Sequence, residues 1–251
     1  MHSEYSDMDF YVRSTECGTD SLLAPYVLLS DLQETADKGS YDTGWGRNEI
    51  GEYNCCWIVL RYFIHIDRLP AWMENFTVRT WTTGAKKVFF DREYEIFDSK
   101  GERIGAATSV WILADKDTHM PVYPSKLTGL PEIANQRNGL MGLGFSAPKI
   151  KITPRDSHEG EPVIIKHADY TELDHNKHVN NTRYLAWIYD ALYKAGKNIS
   201  GVSDININYV SEVRPGSKVE IFVEDIDGGA EISGYKDGDE GVFVSRVKFC
   251  I

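Results

Sequence analysis

The chain has 251 residues, of which 42% are hydrophobic and 12% aromatic, the composition of a globular protein of one large or two small domains and not of a disordered one. Its net charge of −11 argues against nucleic acid as a partner, because phosphate binding requires a basic face. No apolar run approaches the ~18 residues of a membrane span, and the first residues do not resemble a secretory leader. The four cysteines show no paired spacing, so we expect a reduced cytoplasmic protein.

The first half of the chain predicts one short strand, one helix and four further strands. The helix opens near Ser21 and Pro25, because proline is favoured in the first turn and the apolar residues that follow recur every three or four positions. Alternating apolar and polar residues mark the strands, which are expected at residues 10–13, 54–66, 76–81, 88–97 and 103–113. The apolar positions of the helix are Leu28, Leu29, Leu32 and Ala36.

Residues 116–161 have the composition of a connection between two domains. Six of the nine prolines fall between residues 121 and 162, and a glycine-rich run covers residues 139–144. Both residue types disfavour the interior of a helix or strand, and a structureless loop of this length is unusual inside one compact domain. We therefore predict an N-terminal domain at residues 1–115 and a C-terminal domain at residues 162–251.

The second half repeats the order of elements of the first. A strand-like segment at residues 162–169 leads towards a helix that Asn180 or Asn181 can cap and that Gly196 ends. The repeat predicts an α+β fold in which a long helix is wrapped by an antiparallel sheet in each half. The helix stripe is Tyr184, Trp187, Ile188, Ala191 and Leu192, and strands are expected at residues 205–210, 219–224, 230–235 and 242–249.

Residues 174–181, with the sequence Asp-His-Asn-Lys-His-Val-Asn-Asn, precede this helix and are called the polar box. His178 can act as a general base or acid near neutral pH, which few other side chains can do unaided. Asp174 or an asparagine side chain, such as that of Asn176, could fix its tautomer. His175 is out of phase with these three residues and is expected to face solvent. The box is therefore a candidate catalytic site.

Two further groups could complete such a site. Backbone N–H groups at the positive end of the helix, around Val179, Asn180 and Asn181, are expected to be unpaired and suited to an oxyanion. Glu212, in a strand-like stretch that begins at residue 205, could position or deprotonate an attacking water. These parts together are suited to water attack on an ester or thioester.

Several simpler interpretations remain open for these residues. The two asparagines are common helix caps, a lone histidine is often structural, and Glu212 could be a surface residue at the end of a strand. A metal site is a competing hypothesis, although the spacing matches no closed ligand pattern and no cysteine is near. Its ligands would come from His167, Asp169, Asp174, His175 and His178.

The polar box, followed by Tyr184 and Trp187, resembles the signature of the acyl-acyl carrier protein (ACP) thioesterases, and the resemblance covers nearly the whole chain. It implies two tandem hotdog domains, the first holding the acyl chain. It also implies catalytic roles for Asp174, Asn176 and His178, with Glu212 activating water. The chain has no plastid transit segment, so a bacterial form is expected. The implied partner is acylated ACP, without metal or cofactor, and the protein would be a monomer or a homodimer.

Two departures from related patterns sharpen this expectation. Plant members of the family commonly have a cysteine directly after the glutamate, where this chain has Val213, so direct hydrolysis by water is favoured over a thiol nucleophile. Hotdog enoyl hydratases place histidine five residues after aspartate, whereas four separate Asp174 from His178. The expected reaction is hydrolysis of fatty acyl-ACP to free fatty acid and ACP. The alternatives are an acyl-CoA thioesterase of the same fold and a non-catalytic acyl-binding protein.

Overall fold

The computed structural model describes residues 5–131 and 147–250 of the chain. Contacts between residues divide the chain into two compact units, Met1–Ala147 and Pro148–Ile251. The boundary falls inside the predicted connection, whose glycine-rich run at residues 139–144 lies outside the described residues. Along the described ranges, no helix is both long and apolar enough to cross a membrane.

In the described part of the first unit, a long helix packs on a five-stranded antiparallel sheet. The helix, α1 (Pro25–Asp42), lies against the first and third strands and buries all four of its predicted apolar residues. A short helix, α2 (Arg47–Gly51), is not among the predicted elements, since five residues are too few to show a helical period. The strands are β1 (Ser6–Tyr11), β2 (Cys55–Ile66), β3 (Asn75–Lys86), β4 (Phe89–Asp98) and β5 (Arg103–Asp115), in the order β1-β3-β4-β5-β2.

The described part of the second unit has the same plan. Its helix, α3 (Asn181–Lys194), packs against the first and third strands of the unit. The strands are β6 (Ile164–His167), β7 (Val202–Tyr209), β8 (Lys218–Ile226), β9 (Gly229–Lys236) and β10 (Glu240–Phe249), in the order β6-β8-β9-β10-β7. This order matches that of the first unit strand for strand, so the predicted repeat is present.

Both ends of α3 are fixed by the local sequence. Of the two candidate caps, Asn180 is the one used, and its side-chain oxygen accepts the Thr182 N–H at 2.9 Å. Gly196 has φ +70° and donates to the Tyr193 carbonyl, while Lys197 donates to Leu192, each at 3.0 Å. These two bonds form the glycine-ended C-cap that the sequence predicts.

An aromatic contact seats α3 on its sheet. The ring of Tyr184 lies 5.6 Å from that of Phe243 on β10 and 5.7 Å from that of Tyr209 on β7. Gly234, opposite Phe243 on β9, leaves room for that ring, because a Cβ there would overlap it. The aromatic stripe of the helix therefore sets its position over the strands that border the polar box.

Two strand predictions need correction. The first strand lies at Ser6–Tyr11 and not at residues 10–13, because partners on β3 satisfy its polar side chains: Arg79 pairs with Asp7, and Thr77 donates to Asp9. Glu212 does not lie in a strand. The strand β7 ends at Tyr209, since the N–H groups of residues 210 and 211 both donate to the Val242 carbonyl and close the ladder.

Residues 148–158, called the strap, cross the face of the second sheet opposite α3. On that face, side chains of β7, β9 and β8 bind successive residues of the strap. This proline-rich segment is therefore part of the core packing of the second unit and not a free linker. The contacts are Ile150 N–H to Asn208 (2.9 Å), the Tyr235 hydroxyl to the Thr153 carbonyl (2.6 Å), Arg155 to Glu220 (3.3 Å) and His158 Nδ1 to Glu224 (2.7 Å).

Asp31, on α1, has a strongly raised pKa. Burial and the negative charges of Glu16 and Glu34 raise this pKa from 3.8 to about 7, and Arg13 opposes the shift. Because the folded pKa lies above the unfolded one, the folded state binds the proton more tightly. The resulting contribution to stability is fully present below pH 3.8 and is lost as the pH rises to about 7.

We expect Asp31→Asn to remove this pH dependence. From acidic to neutral pH, the free energy of unfolding of the wild type should fall relative to that of the variant by about 4 kcal/mol, since one pKa unit corresponds to about 1.4 kcal/mol. Denaturant unfolding across that pH range measures the difference, and the exposed turn variant Asp227→Asn controls for the loss of one charge. Identical pH profiles for wild type and Asp31→Asn would contradict the prediction.

Candidate active site

The first part of the polar box forms a tight hairpin. The Asp174 N–H donates to the His178 carbonyl at 2.8 Å, and the Lys177 N–H donates to the Asp174 carbonyl at 3.0 Å. Lys177 has φ +64°, the left-handed conformation expected at the last position of a three-residue hairpin loop. The Asp174 carboxylate accepts the N–H groups of Asn176 at 2.8 Å and His178 at 3.4 Å. Asp174 therefore fixes the loop that carries the histidine.

Two backbone hydrogen bonds dock this hairpin. The Val179 N–H donates to the Val213 carbonyl at 3.0 Å, and the Asn180 N–H donates to the Glu172 carbonyl at 2.9 Å. The first of these bonds brings the loop after β7 against the hairpin. As a result, the His178 Nδ1 lies 3.3 Å from Oε2 of Glu212, with 21% of the histidine side chain and 42% of the glutamate side chain exposed.

This pair has the geometry of an oriented base. A carboxylate beside Nδ1 favours a proton on that nitrogen and leaves Nε2 as the basic atom. Both side chains are partly exposed, so water has access to them. The structure thus brings together two residues that are 34 positions apart in the sequence.

The expectation of unpaired helix-entrance amides is wrong for Val179 and Asn180. Both N–H groups are already committed, because they hold the hairpin to its neighbours. Asn181 differs: its N–H has no acceptor within the described residues, and its side-chain nitrogen is buried without a partner there. Its carbonyl accepts from the Tyr209 hydroxyl at 3.2 Å. An oxyanion role at the helix entrance therefore depends on Asn181.

The side chains of Asn176 and His175 face outward. Asn176 is exposed, and among the described residues its side-chain amide makes no hydrogen bond, so only its backbone is tied to Asp174. His175 is exposed, as its phase in the sequence predicts. Of the predicted side chains, the structure therefore joins His178 to Glu212 directly and Asp174 to the backbone of His178.

The Tyr184 hydroxyl lies beneath this pair. It forms a hydrogen bond with the backbone of Val213, whose side chain is fully buried. Burial raises the pKa of Tyr184 well above its usual value, and the nearby carboxylates of Glu212 and Asp174 raise it further. The hydroxyl is therefore protonated at neutral pH and is a constant part of the support under the Glu212 loop.

The sequence interpretation placed Trp187 on the buried face of the helix but missed Glu172 and the hydrogen bond that joins the two. The Trp187 indole N–H donates to the Glu172 carboxylate at 2.6 Å, and the Asp169 N–H donates to the same carboxylate at 3.3 Å. The pattern Asp169-x-x-Glu172 is a capping box, formed here around a short 3-10 turn, Tyr170–Glu172. That pattern, with the need of a buried indole N–H for a partner, could have identified the pair.

The first unit contains the same backbone frame without the chemistry. Gly18 donates to the Leu22 carbonyl at 2.8 Å, Leu23 to that of Pro70 at 2.8 Å, and Ala24 to that of Glu16 at 2.9 Å. These bonds correspond to those of Asp174, Val179 and Asn180 in the second unit. By this correspondence Leu22 occupies the place of His178, and Leu69 that of Glu212. Within the described residues, only the second unit has the imidazole–carboxylate pair at this position.

The metal hypothesis for the region has no geometric counterpart in the described ranges. Among residues 5–131 and 147–250, no three His, Cys, Asp or Glu side chains are grouped so that they could hold a metal ion.

Two family models match the chain. Residues 4–125 match the acyl-ACP thioesterase N-terminal domain, and residues 163–245 match the acyl-ACP thioesterase C-terminal domain. A palmitoyl-acyl carrier protein thioesterase, chloroplastic, of Gossypium hirsutum is 29% identical over 200 residues, which are 73% of this chain and 46% of that protein. An oleoyl-acyl carrier protein thioesterase, chloroplastic, of Coriandrum sativum is 23% identical and covers 81% of this chain and 58% of its own length. The chain spans about half the length of the curated relatives it matches.

Solved structures share the fold along the whole chain. An acyl-ACP thioesterase from Bacteroides thetaiotaomicron superposes with a TM-score of 0.84 at 25% identity, covering 98% of both chains. The 12:0-ACP thioesterase from Umbellularia californica has a TM-score of 0.80 at 19% identity, covering 100% of this chain and 98% of its own. The expected tandem hotdog fold is confirmed by these similarities.

The Asp174 carboxylate acts on the backbone, which gives a prediction for two variants. Asp174→Asn keeps an oxygen that can accept the two loop N–H groups, so the hairpin should persist. Asp174→Ala leaves those donors unpaired and should lower the free energy of unfolding by about 1 kcal/mol. Urea unfolding of both variants measures the difference. A loss of stability as large in Asp174→Asn as in Asp174→Ala would show that the negative charge, and not the acceptor, holds the loop.

Proposed function

The chain belongs to the acyl-ACP thioesterase family, and from this membership we propose that it hydrolyses fatty acyl-ACP to free fatty acid and ACP. The observation that carries the proposal is the contact of 3.3 Å between His178 and Glu212 in the one described unit that has the polar box. An imidazole oriented by a carboxylate and open to water is what direct hydrolysis of a thioester requires.

In the proposed mechanism, His178 and Glu212 activate a water molecule. Glu212 orients the imidazole through Nδ1, and Nε2 takes a proton as the water oxygen bonds to the thioester carbon. The carbon–sulfur bond then breaks, and the imidazolium returns the proton to the leaving thiolate. A thiolate leaves readily, so protonation need not precede its departure.

The other predicted site residues keep supporting roles in this proposal. Asp174 holds the hairpin so that the imidazole faces Glu212, and exposed Asn176 contacts the reacting carbonyl when substrate is bound. The Asn181 N–H is the proposed donor to the oxyanion, because the other two entrance amides are occupied.

The first unit is proposed to hold the acyl chain. Its equivalent hairpin carries Leu22 in place of the histidine, and the loop after β2 carries Leu69 in place of the glutamate, so these positions offer apolar surface and no hydrolytic group. A cytoplasmic location is also proposed, since Cys17, Cys55 and Cys56 are free thiols, as is Cys250. Monomer and homodimer both fit this arrangement.

Two cations next to the site support a carrier that bears phosphate. Lys177 immediately precedes His178, and Arg214 follows Glu212 by two residues. Both are exposed, and neither has a carboxylate partner among the described residues. In a chain of net charge −11, these cations are suited to attract the anionic carrier locally.

We expect wild type to release thiol from acyl-ACP, and the site variants to fail. His178→Ala and Glu212→Ala should each lower kcat by about 10²-fold or more, the usual contribution of a positioned base. His175→Ala, on the exposed side of the same hairpin, is the matched control and should keep wild-type rates. A panel of acyl-ACP and acyl-CoA substrates of several chain lengths is the measurement. Inactivity of the wild type on every substrate would overturn the enzyme proposal, and full activity of both site variants would overturn the site.

The carrier proposal has its own variants. Replacing Lys177 and Arg214 together by alanine should raise KM for acyl-ACP about tenfold, leave kcat unchanged and weaken the dependence of kcat/KM on salt. Steady-state rates at several salt concentrations measure this. A larger kcat/KM for acyl-CoA than for acyl-ACP in the wild type would keep the chemistry and replace the carrier. An unchanged KM in the double variant would remove these two residues from carrier binding.

A further inference from the structure

We propose that Glu172, through its bond to Trp187, is a positioning residue that sets the distance between His178 and Glu212. This inference rests on the proposed function for its kinetic consequences. Its structural basis is independent, because it comes from hydrogen bonds in the described residues.

Glu172 lies at the base of the hairpin and holds it in two ways. Its carbonyl accepts the N–H of Asn180, the cap of α3, at 2.9 Å. Its carboxylate accepts the indole N–H of Trp187 at 2.6 Å and the Asp169 N–H at 3.3 Å. One residue therefore ties the start of the box, the helix cap and the buried second turn of α3 together.

Trp187 is a rigid anchor for this bond. Only 1% of its surface is exposed, and its ring contacts that of Tyr184 at 5.2 Å. Tyr184 in turn supports Val213, next to Glu212. The carboxylate–indole bond thus joins the hairpin that carries His178 to the aromatic layer beneath the loop that carries Glu212.

The first unit provides an internal comparison. Glu16 has the place of Glu172, since its carbonyl accepts the Ala24 N–H, and it also closes a capping box. Trp187 lies seven residues after Asn180, and the residue seven positions after Ala24 is Asp31. Among the described residues no hydrogen bond joins the Asp31 side chain to Glu16, whose carboxylate accepts the Arg13 N–H, and the charge of Glu16 raises the pKa of Asp31. The first unit nevertheless keeps every backbone bond of the frame.

The carboxylate–indole bond is therefore not needed to build the hairpin. Within the described residues, it accompanies the frame only where His178 and Glu212 are present. The contact between those two side chains joins two loops, which share the backbone bond from Val179 to Val213, so the support beneath each loop also affects the distance between the side chains. A catalytic pair must be held within about 0.5 Å of its working distance, so a bond that fixes one loop against the support of the other affects the rate.

The test compares three variants with a matched control. Trp187→Phe keeps the ring and removes the indole N–H, and Glu172→Leu removes the acceptor. Glu172→Gln retains an oxygen that can accept from the indole and is the conservative rescue. Glu16→Leu makes the same change in the first unit, where no indole bond exists. Thermal unfolding, kcat and KM for acyl-ACP, and the NMR resonances of the His178 imidazole are measured for each.

We expect Trp187→Phe and Glu172→Leu to lower kcat about tenfold with KM within about twofold of wild type, well inside the range that misplacement of about 1 Å can produce. Glu172→Gln should restore most of kcat, and Glu16→Leu should leave kcat unchanged whatever its stability. The His178 resonances should move in the first two variants only.

Two results would overturn the positioning role. One is a kcat of wild-type size in folded Trp187→Phe with unmoved His178 resonances. The other is an equal loss of kcat in Glu16→Leu, which would indicate a general effect on stability. If the wild type proves inactive, the proposed function fails, while the imidazole resonances still decide whether Glu172 and Trp187 place His178.

Discussion

The site depends on one backbone hydrogen bond, from the Val179 N–H to the Val213 carbonyl at 3.0 Å. It joins the hairpin before α3 to the loop after β7, two segments that no sheet ladder connects. His178 and Glu212 lie on these two separate loops, and this bond is the direct backbone link that brings them to their contact of 3.3 Å. The bond is buried between two apolar side chains, of which Val213 is fully covered. Burial keeps water from competing for the two polar groups, so the bond is a firm constraint.

The same bond in the first unit, from Leu23 to Pro70 at 2.8 Å, shows that the frame does not depend on the histidine and glutamate side chains. Backbone groups make the frame, and any residue supplies them, although proline can accept and not donate. Side chains on the hairpin and on the loop that follows β2 or β7 are therefore free to differ. Leucines at two positions give an apolar surface in one unit, while histidine and glutamate at the same positions give the proposed proton-transfer site in the other.

Much of this arrangement follows from local sequence signals. Periodicity located α1 and α3, alternation located most strands, and Asn180 and Gly196 marked the ends of α3, because caps and amphipathic faces are local properties. The predictions that were wrong concern residues whose structure depends on contacts with segments distant in the sequence. The polar strand β1 is stable only because Arg79 and Thr77 on β3 satisfy it. The hydrogen bonds of the Val179 and Asn180 N–H groups could not be predicted from the sequence either, since their acceptors belong to segments whose positions only the fold determines.

Because the N–H groups of Val179 and Asn180 are hydrogen-bonded within the protein, few donors at the helix entrance are left for a ligand. A helix start leaves four N–H groups without partners in the helix, and the chain supplies acceptors for those around it in turn. The Asn180 side chain accepts the Thr182 N–H, and the Asn180 carbonyl accepts the Arg183 N–H. The carbonyls of Glu172 and Val213 accept the two N–H groups before the helix, those of Asn180 and Val179. Within the described residues this leaves the Asn181 N–H, directly after the cap and at the positive end of the dipole. A site with many paired donors is rigid, and one donor kept open in a rigid setting is better placed to stabilise a developing charge than several mobile ones.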